Sequence, residues 1–237
     1  MNASRWAALL LFPILAGGIS TLSAQHREHD RAVGVADAVD TLHVVYLHGK
    51  IVQQQGRNAV SPEYGPYEFD EIVEALGEGG ARVHAPIRKG ESDTTVAAEE
   101  VTALVRGLLG AGVPAEDITI VGASLGSVIA MRASAAMGNP SLRFVLLGAC
   151  NDWVKEELDP DLHGHVLSIY EESDVYGQSC EPVVAGKRGI SSFDEVRLAT
   201  GLGHGFLYRP LPEWVVPALR WSAAHGQQLE TPESLQP

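Results

Sequence analysis

From Thr41 onward, short runs of β-branched and large apolar residues alternate with longer stretches in which apolar residues recur every three or four positions. Six runs predict strands: His43–Leu47, Arg82–Ala85, Ile118–Val121, Phe144–Leu147, Val166–Tyr170 and, with the weakest pattern, Glu195–Leu198. Between them, Tyr67–Leu76 places Phe69, Ile72, Val73 and Leu76 at helical spacing, and Val96–Leu109 does the same with Val101, Leu104, Val105 and Leu108. Ala-rich Leu125–Met137 predicts a third helix and Pro212–Trp221 a closing one. Runs of four or five apolar residues without polar alternation belong to strands covered on both faces. The alternation therefore predicts an α/β fold with a mostly parallel central sheet and helices on both sides. The connection from Gly148 to His165, interrupted by Pro160 and Gly164, leaves no room for a substantial cap domain.

The ends of the chain read differently. Arg5 precedes the apolar stretch Trp6–Ala16, and small residues follow through Thr21-Leu22-Ser23-Ala24, the order of a secretory signal. Residues 1–24 are expected to be cleaved, after Ala24 or after Ser23, since Pro13, Gly17 and Gly18 break up a run already shorter than the ~20 apolar residues of a span. Residues 25–40 read as a flexible lead-in, 41–225 as one folded domain and 226–237 as a polar tail. The expectation is an exported chain, periplasmic or secreted, with no stable membrane insertion after cleavage.

Composition sharpens this picture in two ways. Seventeen Lys and Arg against thirty Asp and Glu give a net charge of −13, which opposes binding to nucleic acid. Export makes the two cysteines informative, because an oxidising compartment favours pairing. Cys150 and Cys180 are the one possible disulfide, two buried thiols being the alternative.

Candidate chemistry centres on Gly122-Ala123-Ser124-Leu125-Gly126, which follows the third strand without a gap and opens a small-residue helix. That strand–turn–helix setting is what a nucleophilic Ser on a sharp elbow requires. At the end of the first strand, Leu47-His48-Gly49-Lys50 leaves the sheet, with Gly49 expected to permit close backbone approach. The amides of Lys50 and Leu125 are the candidate oxyanion donors. A Ser hydroxyl needs a base and an orienting carboxylate. Of nine His, His204 alone sits in a Gly-rich loop after the sixth run, and His48 is expected to brace its own turn. Asp174 follows the fifth strand by one turn of loop and is the candidate acid; Glu171, Glu172 and Asp152 are the alternatives. His26 with His29 and His163 with His165 have no visible third ligand, so no metal is expected. Gly77-Glu78-Gly79-Gly80 reads as a helix stop rather than a phosphate loop.

The order Ser124, Asp174, His204, with His48-Gly49 upstream, resembles the α/β-hydrolase superfamily over nearly all of residues 41–225. Arg88-Lys89-Gly90-Glu91-Ser92-Asp93 also resembles the Arg-Gly-x-Gly-x-Ser loop of many members, with one residue missing. The resemblance implies a Ser nucleophile, a His base, an acid orienter and a two-amide oxyanion hole, with no cofactor. It departs from lidded members in the 50-residue separation of Ser124 and Asp174, which implies an open site. Pocket walls must then come from loops, with Tyr64, Trp153 and Tyr176 as candidates beside His48 and Gly49. The reading is a serine hydrolase acting on a small-molecule acyl substrate, a carboxylic ester or a related compound. A peptidase or thioesterase of the same fold, and a non-catalytic binding protein that keeps the fold, are the alternatives.

Overall fold

The computed structural model describes residues 41–91 and 93–224. The expected signal, lead-in and polar tail, together with Ser92 and His225, lie outside the described residues. A six-stranded sheet organises the domain, built from β1 (His43–Leu47), β4 (Arg82–His84), β5 (Ile118–Ala123), β6 (Arg143–Leu147), β7 (Gly164–Glu171) and β8 (Ile190–Leu198), with a small hairpin, β2 (Val60–Ser61) and β3 (Gly65–Pro66), apart from it. The order across the sheet is β4-β1-β5-β6-β7-β8 and every pairing is parallel.

Period-2 alternation divides the apolar side chains between two cores. Val45, Leu47, Ile118, Ile120, Phe144, Leu146 and Val166 face α3 (Thr94–Gly110) and α4 (Leu125–Met137). Val44, Tyr46, Val121, Ala123, Val145, Leu147, Leu167 and Ile169 face α2 (Phe69–Leu76) and α5 (Pro212–Ala223). The central strands therefore read as unbroken apolar runs because neighbouring residues are buried on opposite faces.

Two expectations need correction. The sixth strand begins at Ile190 rather than Glu195. It pairs only with β7 and is half-buried along most of its length, so Ser191, Ser192 and Asp194 are tolerated and the hydrophobic signal is diluted. The segment after the oxyanion turn is not continuous loop: Lys50–Gln55 forms the short helix α1, followed by the β2–β3 hairpin. Elements of six and two residues are too short for periodicity to reveal. The segment Gly148–Gly164 holds one five-residue π-helical turn, Val154–Leu158, and no cap.

From β1 the chain crosses to β4 on one side and then to β5 on the other. In open parallel sheets, ligand sites form at the carboxyl ends of strands where the winding reverses. Here that point is the β1/β5 boundary, from which the His48–Lys50 turn and the Ser124 elbow both emerge.

Candidate active site

Ser124 adopts φ 53°, ψ −115°, a conformation that costs an L residue free energy and that its surroundings must enforce. Gly122 and Gly126 make the turn possible. A Cβ at Gly122 would stand 2.5 Å from the Gly126 carbonyl oxygen, and one at Gly126 would stand 1.9 Å from the Leu47 carbonyl oxygen. Gly49, by contrast, would meet nothing nearer than 3.6 Å, so close approach between β1 and the elbow rests on Gly126 rather than on Gly49. Ser127, one turn into α4 and buried, fastens the elbow: its Oγ lies 2.7 Å from the Gly122 carbonyl and accepts from the Leu147 amide at 3.1 Å.

The chain brings Ser124, His204 and Asp174 together from the ends of β5, β8 and β7. His204 Nε2 lies 2.9 Å from Ser124 Oγ, and His204 Nδ1 lies 2.7 Å from Asp174 Oδ2. A carboxylate accepts only, so Nδ1 carries the proton and Nε2 keeps its lone pair toward the hydroxyl. The other carboxylate oxygen, Oδ1, accepts from the Tyr176 amide at 2.8 Å. The Asp174 side chain is wholly buried and that of His204 nearly so. Tyr176 closes edge-on against the imidazole, with ring centroids 5.3 Å apart. Glu172 points elsewhere and pairs with Arg197, and Asp152 pairs with Lys155.

Glu171 is no alternative acid either, yet it shapes the site. Its carboxylate is fully buried and accepts from Thr200 Oγ1 at 2.7 Å, the Thr200 amide at 2.8 Å, Ser173 Oγ at 3.0 Å and the Gly201 amide at 3.2 Å. Ser173 Oγ in turn accepts from the Gly203 amide at 3.1 Å. One carboxylate thus ties the loop bearing Asp174 to the loop bearing His204. Burial pushes its pKa up, but the hydrogen bonds from Thr200, Ser173 and Gly201 outweigh burial and hold it below the ordinary 4.5. A folded pKa depressed in this way contributes stability that is present above pH 4.5 and lost as pH falls through the folded value. Glu171→Gln is expected to cost about 2 kcal/mol at pH 7. Its thermal midpoint should approach that of the wild type as the pH is lowered below 4.5, as read by a pH series of melts.

The cleft above Ser124 has a volume of about 520 Å³, within the range of small-molecule sites. The pocket candidates Gly49, Tyr64, Trp153 and Tyr176 line it, and so do Lys50 and Leu125, the candidate oxyanion donors. His48 does not: it is fully buried behind the turn and stays off the cleft wall. Its Nδ1 donates to the Gly49 carbonyl at 2.9 Å, and its Nε2 accepts from the Arg88 amide at 3.0 Å. Burial first, and then the Arg88 guanidinium, lower its pKa to about 4, so the ring is neutral at pH 7. Arg88 also donates from Nη2 to the His48 carbonyl and from Nε to Gln53 Oε1, while Gln53 Nε2 donates to the Gly90 carbonyl at 2.9 Å. The Arg88–Gly90 loop is therefore a brace behind the turn that follows β1.

Lys50 and Leu125 are the first residues of α1 and α4. Amides in the first turn of a helix have no partner within it, which leaves both available to a negatively charged oxygen in the cleft. Opposite them, Cys150 and Cys180 form a disulfide with Cα atoms 5.1 Å apart. It sews the loop after β6, whose Ala149, Cys150, Asn151 and Trp153 line the cleft, to the loop that follows Asp174. Gly177 packs against Gly148 in the same seam, where a Cβ would stand 2.4 Å from the Gly148 carbonyl carbon. Replacing both cysteines with Ala is expected to lower stability by about 3 kcal/mol in urea denaturation and to leave the Ser124 elbow intact.

Among the described residues no group of three His, Cys, Asp or Glu is placed to hold a metal ion. No described helix is long and apolar enough to cross a membrane.

The structure is similar to an esterase/lipase from an uncultured bacterium, with 14% identity over 78% of this chain and 75% of that one and a TM-score of 0.54. The chain has the α/β-hydrolase fold. Two other solved structures align with this α/β-hydrolase domain. One is a protein of the alpha/beta hydrolase superfamily from Xanthomonas campestris pv. campestris, at 16% identity over 77% of this chain and 96% of that one, with a TM-score of 0.46. The other is a phospholipase/carboxylesterase from Dyadobacter fermentans, at 13% identity over 69% and 83%, with a TM-score of 0.47. No protein-family model and no curated protein matches the sequence.

Proposed function

We propose that the protein is an exported serine hydrolase that cleaves a carboxylic ester or a related small acyl compound through an acyl-enzyme. The observation that carries this reading is the unbroken relay from Ser124 Oγ through His204 to buried Asp174, opening on a cleft with two helix-end amides. In the first half-reaction Ser124 Oγ attacks the acyl carbon and its proton passes to His204 Nε2. The oxygen of the tetrahedral intermediate takes hydrogen bonds from the Lys50 and Leu125 amides. His204 then hands the proton to the departing alkoxide, which leaves as the alcohol. Water attacks the acyl-enzyme by the same route, losing its proton to His204, and the acid departs as Ser124 regains a proton.

Asp174 holds the imidazole in the competent tautomer and balances its charge when it is protonated. The strained backbone at Ser124 speaks against a purely binding role, because a binding surface gains nothing from holding a hydroxyl at φ 53°. Export is supported by the Cys150–Cys180 bridge together with the signal-like residues 1–24. A cleft without a cap suits small acyl substrates. A panel of 4-nitrophenyl esters set against thioesters and peptide anilides tests the reaction class. Ester hydrolysis at least about 100-fold faster than anilide hydrolysis supports the esterase reading; the reverse order makes the enzyme a peptidase.

A further inference from the structure

Charge is distributed unevenly between the cleft and the rest of the chain. Acidic residues outnumber basic ones by thirty to seventeen, yet among the described residues no Asp or Glu lines the cleft. Apart from His204, Lys50 is the one ionisable cation that the described residues place on its wall. Lys155 and Lys187 are engaged by Asp152 and Asp159, whereas Lys50 pairs with no carboxylate among the described residues.

The short helix α1 explains the placement. Val52 and Gln53 turn inward, Gln53 toward Arg88 and Gly90, while Lys50, Ile51, Gln54 and Gln55 line the cleft. Residues four apart share a helix face, so Lys50 stands over Gln54 and Ile51 over Gln55. Gly49, immediately before, packs on the nucleophile: a Cβ there would lie 3.6 Å from Ser124 Cβ. Lys50 is thus one residue from the reacting centre. Two acids beside cleft-lining residues have partners of their own. Asp174 is buried behind His204, and the Glu63 carboxylate interacts with the Tyr64 hydroxyl.

Lys50 is an exposed residue on the wall of the cleft, and an ammonium there does nothing for a neutral ester. It attracts an anionic group on the substrate strongly once binding displaces water between them. The overall charge of −13 does not cancel this attraction, because at physiological salt the field of distant carboxylates is screened beyond ~8 Å. We propose that Lys50 selects acyl substrates that carry an anionic oxygen group, a carboxylate or a phosphate, a few bonds from the scissile carbonyl. The proposal rests on the serine-hydrolase reading and deepens it.

Matched ester pairs test it in the mature, disulfide-bonded protein. For the acyl side, 4-nitrophenyl hemiglutarate is compared with 4-nitrophenyl pentanoate. For the leaving-group side, phenyl butyrate is compared with its 4-carboxy and 4-phosphate derivatives. The wild type is expected to favour the anionic member of at least one set by about 10-fold in kcat/KM, a preference that shrinks as salt is raised. Lys50→Gln should bring the ratio near unity and Lys50→Glu should invert it. Using the ratio removes any effect on the oxyanion hole common to both esters, and the set that responds shows which side of the substrate carries the charge. Ratios unchanged across wild type, Lys50→Gln and Lys50→Glu in every set overturn the proposal while leaving the hydrolase reading intact. A folded wild type that cleaves none of the esters and is not labelled at Ser124 by a fluorophosphonate overturns the hydrolase reading, and the proposal with it.

Discussion

Ser124→Ala is expected to lower kcat/KM for 4-nitrophenyl esters by about 10⁶-fold, while the protein keeps its fold and its thermal midpoint. The hydroxyl makes no packing contact that the core depends on, because the elbow is fixed by Gly122, Gly126 and the Ser127 hydroxyl rather than by Ser124 Oγ. Relief of the polar group's constraint leaves Ala at the same strained φ of 53°, so any stability change should be small. His204→Ala should cost about as much as Ser124→Ala, and the double variant no more than either, since nucleophile and base act as one unit. Steady-state kinetics on the three variants read this directly. Multiplicative losses would mean that His204 does not serve Ser124.

Asp174→Asn carries the second large effect, about 10⁴-fold in kcat. The direction follows from the partners of the two carboxylate oxygens. Tyr176 donates its amide to Oδ1 at 2.8 Å, so an Asn would be oriented with its oxygen there. Its NH₂ would then replace Oδ2, which now accepts from His204 Nδ1 at 2.7 Å. A donor facing Nδ1 forces the imidazole proton onto Nε2, where it can no longer accept the Ser124 proton. The loss should fall on kcat with little change in KM, since Asp174 is buried and does not line the cleft. A loss confined to KM would show that Asp174 shapes the cleft instead of orienting the base.

The sequence carried the parts of this site that depend on unbroken patterns. The apolar runs ending at Leu47, Val121 and Tyr170 lead to the ends of β1, β5 and β7, and the motif around Ser124 fixes its own turn geometry. His204 and Asp174 were legible through their place in chain order after the last two strands. Other features depended on contacts between residues far apart in sequence. Glu171 joins two loops 30 residues apart, and nothing in Tyr170-Glu171-Glu172 distinguishes the buried clamp from its solvent-facing neighbour. Arg88 reaches back 40 residues to His48, so the ring braces its turn as its place after β1 suggests, while its burial, which the local sequence does not reveal, keeps it off the cleft wall. Helix α1 leaves no periodic signal because six residues hold less than two turns, yet it carries Lys50. Edge position explains β8, whose polar residues are mostly half-buried along a strand paired on one side only.

The central claim is that Ser124 is a nucleophile activated by His204 and Asp174. Incubation of the mature protein with a fluorophosphonate, followed by intact-mass and peptide mapping, tests it most directly. The account predicts a single adduct on Ser124, no adduct on Ser124→Ala, and labelling of His204→Ala slowed by several orders of magnitude. A folded wild type that takes up no adduct, or one labelled as fast without His204 as with it, would contradict the account.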